Sequence, residues 1–164
     1  MVPGEEAGFT TVVTRHQRLV YGMARRALGR RQDAEDLAQE VFWALYQHRD
    51  EIRSEQHLIY WLRQVTARKC IDYRRRRHFP EDELPELPAA AAGSDPWLAG
   101  ALRQAVGRLP MRARLVVILR YQQDLDPEEI APILAMPLAT VKSHLRRSLA
   151  RLRRHFPEEV SHAR

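Results

Sequence analysis

The densest carboxylates in this 164-residue chain are Asp33, Glu35, Asp36 and Glu40. At ~100° per residue, Asp36 and Glu40 fall on one helical face. Two carboxylates in that relation could help hold a divalent cation, and a magnesium-dependent nuclease is one chemistry they would serve. A nucleophile with an adjacent base is not evident, so no catalytic residue is assigned. The seven histidines (residues 16, 48, 57, 78, 144, 155 and 162) have no metal-ligand spacing. Cys70 is the single cysteine, which rules out a disulfide within the chain and a CxxC zinc site. No metal or cofactor is expected.

The other chemistry-bearing residues are cations. Lys and Arg total 27 against 21 Asp and Glu, giving a net charge of +6 and a pI near 10.1. That balance points to an anionic partner, nucleic acid first. The cations collect at Arg74 to Arg77, and again at Lys142, Arg146, Arg147, Arg151, Arg153 and Arg154. Tyr60 and Trp61 precede Arg63, Arg68 and Lys69, a mixture of aromatic and positive groups that suits single-stranded nucleic acid. Taken alone, Trp61 reads more simply as a core residue, and the arginine run as a solvated helix end. Cys70 reads as a small buried residue.

The elements that position these groups are helical. No segment alternates with period two, and the fold class is all-α, with two small helical domains. Residues 79–98 separate them. That stretch has four prolines, five carboxylates and no Lys or Arg, the composition of a flexible tether. Residues 1–78 carry a net charge of +5 and residues 99–164 one of +6. In the first domain, one helix runs from Thr10 to Leu28 and Gly29 closes it. Asp33 is the expected N-cap of the next, whose apolar stripe includes Ala34, Leu37, Val41 and Leu45. A third runs from His57 to Arg76. The second domain opens near Pro96 with Leu98, Leu102, Val106 and Leu109. An apolar run follows at Leu115 to Leu119.

From Asp126 to Leu134, through a break at Ala135 to Pro137, and on to Arg154, the lengths are those of a helix-turn-helix. Leu138, Val141, Leu145, Leu149, Leu152 and Phe156 form its packing stripe. Opposite stand Thr140, Ser143 and Arg147, candidates for reading base edges. Lys142, Arg146 and Arg151 suit phosphates. Arg151, Arg153 and Arg154 also complement the helix dipole. The exposed side of the second helix offers Glu35, Asp36, Gln39 and Glu40. DNA would repel it, so this face is expected to meet a protein.

DAEDLAQEVF (residues 33–42), WLRQVTARKCIDYRRR (61–76) and LP…R…EIAPILAMPLATVKSHLRRSLARLR (109–153) resemble the extracytoplasmic-function group of bacterial sigma factors, in the same motif order. The resemblance implies an alternative sigma factor, cytoplasmic and not an enzyme, that directs core RNA polymerase to promoters. It implies that Glu35, Asp36, Gln39 and Glu40 bind the clamp helices of the largest polymerase subunit, that the second domain meets the flap, and that an anti-sigma factor controls the chain. Residues 1–78 are then the region 2-like domain and residues 99–164 the region 4-like domain. Ile52, Arg53, Gln56, Trp61, Arg63, Arg68, Lys69 and Arg75 would melt and read the minus-ten element, with the loop from Ile52 to Gln56 cradling a flipped base. Thr140, Lys142, Ser143, Arg146, Arg147 and Arg151 would read the minus-thirty-five element. The acidic tether would thread toward the polymerase's active centre.

Four positions depart from the pattern. Arg68 stands where the group usually has Asn. Pro132 lies within the first helix of the helix-turn-helix. Ala135 and Ala139 replace glycines. The second reading is a helix-turn-helix regulator that acts without polymerase. It accounts for residues 126–154 but not for the acidic helix or the Trp61 region.

Overall fold

A computed structural model describes residues 3–77 and 96–155, with side chains from Glu6 and Ala99 onward. The expected tether lies mostly outside these residues. Three helices form the first half: α1 (Pro3–Leu28), α2 (Arg31–His48) and α3 (Glu55–Arg76). Gly29 ends α1 at φ 82°, a left-handed conformation that suits glycine, and the chain reverses directly into α2. Val20, Met23, Leu37, Val41 and Leu62 fill the space between the three helices.

This early reversal displaces the expected cap. Helix α2 starts at Arg31, with Arg30 in extended conformation before it. Asp33 therefore lies inside the first turn, buried, and not at the N-cap. Its Oδ1 is 3.5 Å from the Arg77 guanidinium. Burial, and next a hydrogen bond to Asp33, push the Tyr73 phenol up to about 12. Asp33 thus fastens the end of α3 to the start of α2.

The second half comprises α4 (Pro96–Gly107), α5 (Met111–Val117), a π-helical turn (Ile118–Gln122), α6 (Pro127–Ile133) and α7 (Leu138–His155). Pro96 occupies the first position of α4, where its missing N–H costs nothing. Residues 96–98 consequently belong to a helix, not to the tether. Leu102, expected on the packing side of α4, is exposed. Apart from the exposed Arg112, every residue of helix α5 is buried, because the helix is covered on opposite sides. It meets α4 and α7 within its own half, and α1 and α3 across the chain. One buried cluster runs continuously from Val20 and Leu62 through Leu115 and Leu119 to Ile130 and Val141.

The helix-turn-helix forms at the expected place. The Asp126 N–H donates to Glu129 Oε2 at 2.8 Å, so the start of α6 is capped by its own side chain. Pro132 faces solvent one residue before the helix ends, and no long helix remains for it to kink. Ala135 has φ 50°. The Met136 N–H donates to the Ala131 carbonyl at 3.0 Å, and that of Ala135 to Pro132 at 3.3 Å. This is the Schellman closure that ordinarily takes glycine. Ala135→Gly should therefore stabilise the fold by about 1 kcal/mol, the left-handed strain relieved less the added freedom of the unfolded chain. Urea unfolding would show it as a higher midpoint with an unchanged slope.

Cys70 is wholly buried, and burial pushes its thiol up to about 12. The folded state therefore holds this proton more tightly than the unfolded chain does. The associated stability is intact below about pH 9 and is lost as pH rises toward 12. Denaturation midpoints should fall across that window, and Cys70→Ala should flatten the fall.

Candidate functional site

Three surfaces gather the candidate residues. The first is the outer face of α2. Glu35 Oε1 takes a 2.9 Å bond from Arg31, and Asp36 accepts from Gln32 at 3.0 Å. Gln39 and Glu40 are exposed. These partners are exposed and flexible, so the carboxylates are open to exchange with a stronger basic partner. Among the described residues, no three His, Cys, Asp or Glu side chains gather as a metal site would require.

An apolar groove of about 1020 Å³ runs between α1 and α2 beside this face. Phe9, Val13, Phe42, Trp43 and Tyr46 line it together with Glu35 and Gln39. Trp43 is 63% exposed and stacks on Tyr46 at 6.0 Å. An exposed tryptophan flanked by carboxylates has the composition of an interface anchor. Sequence reading passed over Trp43. The available signal was its spacing, three, four and seven residues after Glu40, Gln39 and Asp36, which sets it on their face.

The second surface lies on α3 and the turn before it. A 3₁₀ turn (Arg49–Glu51) leads to Ile52–Ser54, and Ser54 caps α3 by accepting from the His57 N–H at 3.0 Å. The expected loop is shorter than predicted, because Glu55 and Gln56 already belong to α3. Arg53, Gln56 and Arg68 are exposed, Arg75 is exposed and bonded to Asp72, and Trp61 is half-buried 6.2 Å from the His48 ring. Tyr60, which the site reading omitted, is exposed on the same broad side. Two residues stand apart. Lys69 turns toward α2, with Nζ 3.4 Å from Glu40 Oε2. Arg63 is half-buried and donates through Nε to Gln123 Oε1 at 3.3 Å. Desolvation lowers the Arg63 pKa, partly countered by Glu129.

The third surface is α7. Its buried stripe is Val141, Ser148 and Leu152, with Leu138, Leu145 and Leu149 half-buried beside it. Phe156 lies outside the described residues. Lys142, Arg146, Arg147 and Arg151 are exposed, and Thr140 and Ser143 are half-buried. Arg147 Nε donates to the Ser143 carbonyl at 3.3 Å, and Lys142 Nζ lies 3.7 Å from Glu128. Burial first, then the nearby Arg147 and Arg112, lower the His144 pKa. This face presents cations with exchangeable partners, as a duplex-binding helix requires.

The sequence matches the family Sigma-70 region 2 over residues 12–79 and the family Sigma-70, region 4 over residues 99–152. It is 32% identical to the RNA polymerase sigma-E factor of Streptomyces coelicolor, over 92% of this chain and 86% of that protein. It is 27% identical to the ECF RNA polymerase sigma factor SigW of Bacillus subtilis, over 93% of this chain and 91% of that protein. In fold it resembles the sigma factor RpoE solved with the anti-sigma factor NepR from Bartonella quintana. That likeness has a TM-score of 0.76 at 18% identity and covers 93% of this chain and 98% of the other. Both halves are matched, whereas a regulator acting without polymerase would account for the second half alone.

Proposed function

Because the chain belongs to the extracytoplasmic-function group of the sigma-70 family, and so is an alternative sigma factor that brings core RNA polymerase to promoters, we propose that the three surfaces divide that work. The acidic face of α2, Glu35, Asp36, Gln39 and Glu40, docks on the clamp helices of the largest polymerase subunit. Trp43 and the groove beside it supply the apolar anchor. Ile52, Arg53, Gln56, Trp61, Arg68 and Arg75 line the path of the melted minus-ten strand, and Arg63 joins them once free of Gln123. Lys69 steadies α3 against α2. Residues 1–78 make up this unit, and residues 99–164, together with the start of α4 at Pro96, the unit that meets the flap and the minus-thirty-five duplex. Thr140, Ser143 and Arg147 read base edges there, and Lys142, Arg146 and Arg151 hold phosphates.

The observation that carries this division is the separation of charge. The carboxylates Glu35, Asp36 and Glu40 sit beside an exposed tryptophan on α2, whereas clusters of exposed cations stand on α3, at Arg68, Arg75 and Arg76, and on α7, at Lys142, Arg146, Arg147 and Arg151. The chain works where polymerase is, in the cytoplasm, and contributes no catalytic group. Among the described residues no helix is long and apolar enough to cross a membrane. An anti-sigma protein would act by covering the α2 groove.

Transcription with purified core enzyme on a randomised promoter library tests the reading directly. Enrichment of a two-element promoter is the expected result, and no enrichment over core alone sinks it. On the selected promoter, Arg147→Ala should relax discrimination at one minus-thirty-five position by about 1–3 kcal/mol. Equal weakening on every sequence would make Arg147 a phosphate contact.

A further inference from the structure

Three histidines from three helices converge on the short segment 51–55, between the end of α2 and the start of α3. His48 Nδ1 lies 3.0 Å from Glu51 Oε1, and its ring sits beside Trp61. His16 of α1, only 6% exposed, brings Nε2 to 3.0 Å from Glu55 Oε1, and Arg15 approaches the same oxygen at 3.8 Å. Between these two points the Arg53 N–H donates to His57 Nδ1 at 3.3 Å. A carboxylate accepts, so His16 and His48 present N–H groups. His57 meets a donor, so its Nδ1 presents a lone pair. Among the described residues no three His, Cys, Asp or Glu side chains gather to share a metal ion, so each ring acts through its own partner. His57 stands at the third position of α3. Its own N–H donates to Ser54 Oγ at 3.0 Å, while its side chain reaches back to Arg53. This is the reciprocal arrangement of a capping box, with histidine where Glu or Gln usually stands and the return bond one residue earlier.

We propose that His57, through Nδ1, holds the Arg53 backbone in the shape that receives a minus-ten base, between loop ends held by His16 and His48. His57 is thereby a positioning residue for promoter melting and not itself a contact to DNA. The inference rests on the proposed function for the role of the loop. Its physical basis is pre-organisation. Arg53 and Ser54 are exposed, and an exposed loop left free must be ordered by the base that enters it. A loop already ordered spares the complex that entropy, and more of the contact free energy remains to tell one base from another. Only one ring nitrogen serves this purpose. An asparagine amide superposes on the Nδ1 end of an imidazole, and a glutamine amide on the Nε2 end. Asparagine at residue 57 therefore keeps an acceptor within reach of Arg53, whereas glutamine carries its acceptor one bond too far. Helix propensity ranks glutamine above asparagine, so a merely structural role would order the two the other way.

The test compares His57→Asn with His57→Gln in the full-length chain. Amide exchange of the Arg53 N–H, followed by NMR without polymerase, should stay near wild type in the asparagine variant and quicken at least about threefold in the glutamine one. Equal exchange in the two overturns the positioning, whatever the chain does with polymerase. Each variant is then assembled with core enzyme and assayed for strand opening on the selected promoter, with every base in turn at each minus-ten position. His57→Gln should lose about tenfold of its discrimination at one position, His57→Asn should keep it within about twofold, and minus-thirty-five discrimination should hold in both. Undiminished discrimination in His57→Gln overturns the proposal. Wild-type holoenzyme that opens no promoter counts against the proposed function instead, and the exchange measurement alone then decides the role of His57. If the glutamine variant loses its helical circular-dichroism signal, His57→Ala takes its place. Alanine is the best helix former and lacks the acceptor, so it must show the same loss, and wild-type exchange and discrimination in it overturn the proposal.

Discussion

Arg114→Met is expected to cost about 3–5 kcal/mol of folding stability, more than any surface change in the chain. Arg114 is only 1% exposed. Methionine keeps the length and much of the apolar stem, so packing is nearly preserved. The loss is polar. Ala27 and Leu109 would each keep a buried carbonyl without its donor, and Gly107 a half-buried one; each buried orphan costs about 1–3 kcal/mol before relaxation. Burial, with the nearby Arg74 adding to it, lowers the Arg114 pKa to about 10. The side chain stays cationic at neutral pH, and its three carbonyl acceptors are what make the buried charge tolerable. Arg114→Lys keeps the charge but not the planar fork, so it should fall between the two. Denaturant unfolding measures the series. A methionine variant within about 1 kcal/mol of wild type would show that water replaces the guanidinium, and that the tie between the halves is weak.

The reason Arg114 escaped notice in the sequence is physical. It stands next to Leu115–Leu119, an unbroken apolar run with no polar side. Such a run states that an element is buried but not against what. The partner is a helix far along the chain, and composition records no distance. Asp33 fails for a related reason. A carboxylate ahead of an apolar stripe reads as a cap, yet the left-handed Gly29 starts α2 early and turns Asp33 inward to Tyr73 and Arg77. Where local chemistry decides, the sequence was readable. Asp126 opens α6, the break at Ala135 to Pro137 forms, and α7 buries Val141 and Leu152 of the expected stripe, together with Ser148, which that stripe did not include. The acidic side of α2 was visible because its carboxylates stand outside the stripe of Leu37, Val41 and Leu45. Trp43 went unread there, because it stands outside the apolar stripe and only its spacing from Asp36, Gln39 and Glu40 set it on their face.

That uncovered tryptophan sets the second large effect. Reversing charge with Glu35→Lys and Asp36→Lys should reduce affinity for core polymerase by at least about 100-fold, since like charges facing a basic partner cost several kcal/mol. Trp43→Ala should lose a further 2–4 kcal/mol of binding, the range of a central aromatic anchor. Neither change should unfold the chain. Asp36 and Trp43 are exposed, and Glu35 is half-buried in a solvent-facing pair with Arg31. The C-terminal half keeps every residue of its DNA face, so duplex binding measured without polymerase should be unaltered. This contrast separates a docking surface from a general loss of structure. Salt distinguishes the two contributions. Raising ionic strength should weaken the wild-type complex and narrow its gap from the lysine variant, whereas the Trp43→Ala deficit should persist because apolar burial is not screened. Fluorescence titration of labelled core enzyme reads all three proteins. If the lysine variant binds core as tightly as wild type at low salt, the acidic face of α2 is not the docking surface, and polymerase must hold this chain by another side.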